Sequence, residues 1–224
     1  MTNFQRARSE EQREIRRQAV LDTTATMLEE MPAGAVSLNE LSRRVGLAKS
    51  NVLRYFESRE AILLELLDRA WRQWIADLPA LLDAGIDQAA SVERRTEQFA
   101  AAVARSLAER RILCDLLSSQ AGVLEHNVSA EVAARYKRAA VANVAATATL
   151  AGRYLPELGE DAPQLTAAMI MAIGAVWTHA HPSEAMLAAY QADPSLTAFK
   201  PDFVTALHDM LATLTAGTIA RSSC

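Results

Sequence analysis

Lys49, Ser50, Asn51, Arg54 and Tyr55 fall within a span of seven residues. A lysine ammonium can donate to the O6 or N7 of guanine, and an asparagine amide can pair with adenine through two hydrogen bonds. Arginine and the tyrosine hydroxyl suit phosphate oxygens, which set register without carrying sequence. The chemistry available here is therefore the reading of duplex DNA.

Those groups need an element that holds them outward together. The run from Ser37 to Glu60, SLNELSRRVGLAKSNVLRYFESRE, predicts two short helices joined by a tight turn and followed by the start of another. Ser37 is placed to cap the first helix, with Glu40 completing a capping box. Leu38, Leu41 and Val45 repeat at helical spacing, and Gly46 stands where a left-handed residue ends a helix. Leu47 fills the turn, and Val52, Leu53 and Phe56 give the second helix its apolar side. A polar helix held at an angle by an apolar partner is a device for presenting side chains to a major groove. Phe56 reads as a core aromatic, whereas the hydroxyl of Tyr55 needs a partner. Arg43 and Arg44 read as decoration of a solvated helix.

The charge distribution fits a local DNA-binding face. The 224-residue chain has a net charge of −4, yet residues 43–59 carry Arg43, Arg44, Lys49, Arg54 and Arg59 against Glu57 alone. A basic patch on an acidic protein favours selective over indiscriminate binding. Half of the residues are hydrophobic and only 8 Gly and 7 Pro occur, which predicts an all-α protein with a substantial core. Cys114 and Cys224 are too few for a disulfide framework, and the polar, Arg-rich start is no secretory signal, so a cytoplasmic protein is expected. Two uncharged runs, Ala139–Gly152 and Pro163–Ala180, read as buried helices of a soluble protein rather than membrane spans.

Along the chain, a first helix is predicted from about Glu10 to Met31, capped by Ser9, with Val20, Met27, Met31, Ile15 and Leu28 covering the helix pair. Ser58 caps a helix from Arg59 to about Leu78 that Pro79 kinks or ends. Further helices are predicted at 91–110, 112–121, 130–154, 163–179, 183–191 and 201–220. Residues 1–58 would form a DNA-binding head and 59–224 a body.

In these residues the chain resembles the TetR family of bacterial transcriptional regulators. The resemblance rests on a leucine-bearing helix, the Val45-Gly46-Leu47 turn, a helix ending in Arg54-Tyr55-Phe56, and Ser58-Arg59-Glu60 opening the next helix. It covers about residues 10 to 65. It implies a homodimer that occupies a palindromic operator and leaves when a small molecule binds. It also implies base contacts from Lys49, Ser50 and Asn51, with Asn39 on the preceding helix, and phosphate contacts from Ser37, Arg54, Tyr55 and Arg59. One position departs: the family commonly carries Tyr where Leu53 stands, so only an apolar contact is available there.

For the body, the resemblance implies an apolar effector pocket, and helical faces select Trp74, Phe99, Leu116, Tyr136, Asn143, Met169, Ile173 and Trp177 as its lining. The scarcity of charge among them points to a small hydrophobic effector. Ordinary core packing competes for each residue. A dimer face is expected from Ala167, Ala168, Ala172, Gly174 and Ala175 with Phe203, Leu207, Met210, Leu211 and Leu214. His179 and His181 lack further ligands at metal spacing and read as helix-end residues, and Cys114 reads as a buried structural thiol. No cofactor is expected, and no nucleophile elbow, phosphate-binding glycine loop or metal motif supports an enzyme. A helical enzyme acting on a small hydrophobic substrate and a protein-interaction module are the competing readings.

Overall fold

In the computed structural model, which describes residues 3–222, helices begin where serines can cap them. Ser37, Ser58, Ser91, Ser129 and Ser183 each accept a hydrogen bond from the backbone N–H three residues on. Each bond satisfies a donor that a helix start leaves orphaned. The helices are α1 (Asn3–Glu30), α2 (Leu38–Val45), α3 (Lys49–Val52), α4 (Arg59–Gly85), α5 (Val92–Ala108), α6 (Arg111–Ser119), α7 (Ala130–Tyr154), α8 (Ala162–Ala180), α9 (Glu184–Ala192) and α10 (Phe203–Ser222). The fold is all-α, and no strand occurs among the described residues.

Several boundaries differ from expectation. The first helix starts at Asn3, leaving Ser9 in its interior, because neither Pro nor Gly interrupts residues 3–9. Ile15 does not help to cover the helix pair: it is 62% exposed. Pro79 neither ends nor breaks α4, which continues to Gly85. A proline removes one donor, and burial of Leu78 and Leu82 on either side of it holds the helix against the core. The helix after Gly46 is only four residues long, and its turn continues to Phe56, whose N–H donates to the Val52 carbonyl at 3.2 Å. The break at Gly122 is a π-helical turn over Gln120–Leu124.

The core runs unbroken from head to body. Val20, Met27 and Leu28 of α1 join Leu41, Val52 and Phe56 and the start of α4. Deeper in the body, Trp71 and Trp74 of α4 belong to the same core as Phe99, Leu116, Met169 and Ile173. The α4 helix packs against α5, α6 and α7, and α10 lies along α5 and α8. Of the two uncharged runs, the one in α8 buries Leu165, Met169, Ile173 and Trp177, whereas the one in α7 leaves Val141 exposed. The expected dimer face is partly internal. Gly174 approaches the Leu117 carbonyl so closely that a Cβ there would lie 3.1 Å from its oxygen, and Ala172, Phe203, Leu207 and Leu211 are buried within the protomer.

Several hydrogen bonds tie the head to the body, two of them reaching beyond α4. The Ala33 N–H donates to the Asp115 carboxylate at 2.6 Å, and the Ser129 N–H donates to Glu57 at 2.6 Å.

Candidate nucleic-acid interface

Local sequence explains why the short helix faces outward. Gly46 adopts a φ of 72°, a left-handed conformation that turns the chain sharply after α2. Val52 and Phe56 are buried beneath the segment that follows, so Lys49, Ser50, Asn51 and Arg54 are exposed on its other side. Tyr55 is half-buried at the edge, and Leu53 is exposed beside it. Before α2, Ser37 accepts from the Glu40 N–H at 3.2 Å, and both Ser37 and Asn39 are exposed. Ser37, Asn39, Lys49 and Arg59 share one shallow hollow.

The capping box is only half formed. The Glu40 carboxylate binds Arg43 at 2.6 Å and Arg44 at 2.8 Å instead of reaching back to the Ser37 N–H. Those two guanidinium groups, Arg43 first, hold its ionisation down at about 2. Arg44 also reaches Glu30 at 2.7 Å, joining α2 to the end of α1.

The basic residues of the head therefore separate into two kinds. Arg17 is paired with Glu65, and its guanidinium lies 4.9 Å from the centre of the Phe56 ring. Arg59, expected at a phosphate, donates to the Val36 carbonyl at 2.9 Å and to Glu60 at 3.0 Å, with its side chain 20% exposed. Its place at the first turn of α4, directly over the loop before α2, brings those acceptors within reach. Among the described residues no carboxylate pairs with Lys49, Arg54, Arg13 or Arg16. The last two, on α1, line a second hollow together with Gln12, Arg54 and Tyr55. They lie outside the basic cluster of residues 43–59. Arg13, Arg16 and Arg17 at i, i+3 and i+4 were the available signal.

The residues expected to line an effector pocket do not come together around one. Trp74, Phe99, Leu116, Met169, Ile173 and Trp177 are buried in the packed core. Trp74 donates through Nε1 to the Ser106 hydroxyl at 3.0 Å, and Trp177 stacks on His181 at 3.7 Å. Of the eight, Tyr136 alone lines a cavity of about 280 Å³ between α1, α4 and α7. Asn143 stands behind it, donating to Asp68 at 2.9 Å. His181 is further occupied by the Trp177 carbonyl, 3.0 Å from its Nδ1. Cys114 is buried, and burial pushes its thiol up to about 12. Cys224 lies outside the described residues.

A helix-turn-helix head with a ridge of free cations, continuous with an all-helical body, defines a DNA-binding transcription regulator. The model described as "Bacterial regulatory proteins, tetR family" matches residues 20–66, and "Tetracyclin repressor-like, C-terminal domain" matches residues 68–222. The chain belongs to the TetR family. It is 38% identical over 55 residues to the HTH-type transcriptional regulator EthR of Mycobacterium tuberculosis and of Mycobacterium bovis, covering 25% of this chain and 26% of EthR. The chain thus spans about a quarter of the length of the curated relatives it matches. Among solved structures, the fatty acid degradation regulator FadR from Bacillus halodurans aligns with 87% of this chain and 97% of its own, at 14% identity and a TM-score of 0.47. A transcriptional regulator from Streptomyces coelicolor aligns with 92% and 97%, at 17% identity and a TM-score of 0.44.

Proposed function

We propose that the chain is a cytoplasmic, ligand-responsive repressor that binds a palindromic operator as a homodimer and has no enzymatic activity. The observation that carries this reading is the outward display of Lys49, Ser50 and Asn51 beside the unpaired Arg54, Arg13 and Arg16. Lys49 and Asn51, with Ser50 and Asn39 beside them, are the base-reading groups. Arg54, Tyr55 and Ser37, joined by Arg13 and Arg16, hold phosphates, and Arg59 keeps the loop before α2 in place.

Dimerisation is supported by the side of α8 and α10 that the protomer leaves open. Met171 is 70% exposed and Met210 42%, and Ala167 and Ala175 are exposed along the same side of α8 as Met171. Small residues around flexible methionines suit close helix packing across a two-fold axis. The effector is a small molecule with an apolar body. Its binding shifts the population toward a state in which α4 no longer holds the two heads one DNA turn apart.

Selection of bound fragments from random DNA, followed by titration of the enriched sequence at several salt concentrations, tests the reading. A palindrome should emerge, and affinity should fall steeply with salt as counterions are displaced from phosphates. Lys49→Ala and Asn51→Ala should each cost about 1–3 kcal/mol and relax preference at single base pairs. Folded protein that prefers no sequence over random DNA rejects it.

A further inference from the structure

None of the nine residues of α9 is buried, and the element it packs against is the 3₁₀ turn at Pro194–Phe199 that follows it. Met186 is 47% exposed, Leu187 38% and Leu196 45%. The helix sequence, EAMLAAYQA, is apolar on every side apart from Glu184 and Gln191. A helix that is apolar all round is a buried helix. One of nine residues is also too short to hold itself together in water. A surface outside the protomer is needed to cover it.

The body carries a surface of matching character. No charge occurs in α7 from Ala139 to Gly152, and Val141, Ala142, Ala145, Ala146 and Thr149 are exposed there, Val141 at 68%. Their spacing places them in one strip along the helix. This strip belongs to a helix that packs against α8. The α9 arm joins the end of α8 to the start of α10, so both of its roots lie on the helices proposed to form the dimer. Charge also matches. Between Pro182 and Phe199 the only charged residues are Glu184 and Asp193. Arg138, one turn before Val141 on α7, is exposed and has no carboxylate partner among the described residues. An arm with acidic groups and no cation suits neither an anionic membrane nor a nucleic acid.

We propose that α9 of one protomer lies over the α7 strip of a second copy of this chain, with Met186 and Leu187 against the partner's Val141 and the partner's Ala145, and Glu184 beside the partner's Arg138. A two-fold axis makes the contact twice, so each substitution in it acts twice. The inference rests on the homodimer proposed above and adds a consequence: α9 is a stable helix only in the dimer.

The test is hydrogen exchange of the full chain, read by mass spectrometry above and below the dimer dissociation constant that sedimentation gives. Amides of residues 187–192 should exchange about tenfold or more slower in the dimer than in the diluted monomer. Leu187→Glu and Val141→Lys, both at exposed positions, should each weaken dimerisation about tenfold or more and leave the melting of the diluted monomer unchanged. Combined, they should cost no more than either alone, because the new carboxylate and ammonium meet across the interface. A dimer whose α9 exchanges freely, protection that persists in the monomer, or strictly additive losses in the double variant overturns the arm contact and leaves the dimer standing. Protection that appears only on adding phosphatidylcholine vesicles assigns the arm to a membrane and overturns it too. A chain that stays monomeric at every concentration rejects the homodimer reading itself, and the arm contact with it.

Discussion

Ala33 and Asp115, 82 residues apart, are joined by a 2.6 Å hydrogen bond from the backbone N–H to the carboxylate. Ala33 is buried in the loop between α1 and α2, and Asp115 lies on α6. This bond therefore connects the segment before the helix-turn-helix to the middle of the body. Asp115→Ala strands a buried donor and should cost about 1–3 kcal/mol of unfolding free energy. Asp115→Asn keeps an acceptor oxygen and should cost less. Urea denaturation at constant m-value measures both, and equal stability of all three proteins would show that the bond contributes nothing.

Acid should loosen the head through Glu40 and Glu57. Arg43 and Arg44 hold Glu40 at about 2, and hydrogen bonds from the Ser129 backbone and side chain hold Glu57 below the ordinary carboxylate value of 4.5. Because the unfolded chain takes up these protons at higher pH than the folded one, their stabilisation is complete above 4.5. It is lost as pH falls toward 2. Denaturation midpoints measured across that window should fall less steeply for Glu40→Gln than for the parent.

Two glycines should respond differently to alanine. Gly46 has φ 72° and open space around its missing Cβ, so Gly46→Ala meets backbone strain alone, about 1–2 kcal/mol. At Gly174 a Cβ would sit 3.1 Å from the Leu117 carbonyl oxygen, forcing α6 and α8 apart at a cost of about 1–3 kcal/mol. Thermal unfolding should detect both. Operator affinity at a temperature where both variants are folded should suffer in the first and be largely spared in the second.

Free and paired arginines should separate in salt titrations of operator binding. Arg16→Ala and Arg54→Ala should each lower the slope of log affinity against log salt by about 0.9, the value of one phosphate contact. Arg43→Ala should leave the slope unchanged, since Glu40 already neutralises that guanidinium. An unaltered slope in Arg16→Ala would place α1 outside the contact surface.

Much of this architecture is legible in the sequence where one residue decides a local outcome. Ser129 fixes the start of α7, and the turn ahead of Pro156 fixes its end, so the expected span 130–154 coincides with the observed helix. Gly46 marks the helix-turn-helix corner as reliably. Outcomes set by tertiary partners are not legible in this way. Pro79 reads as a breaker, yet flanking burial carries the helix through it. Arg59 reads like Arg54, and only the fold brings the Val36 carbonyl within its reach. The small residues of α8 mark a close approach without saying whether it is to α6 or to another protomer. An unpartnered hydroxyl such as that of Tyr136 has no sequence signature, because what distinguishes it is what its neighbours fail to provide.

The uninterrupted course of α4 from Arg59 to Gly85 makes it a stiff rod shared by both halves of the molecule. At 1.5 Å per residue, 27 residues span about 40 Å. Pivoting such a rod by about 5° at one end swings the other by roughly 3.5 Å. That swing is close to the rise between adjacent base pairs, so in the repressor proposed above a barely perceptible rearrangement deep in the body would become a one-step misalignment at the far tip.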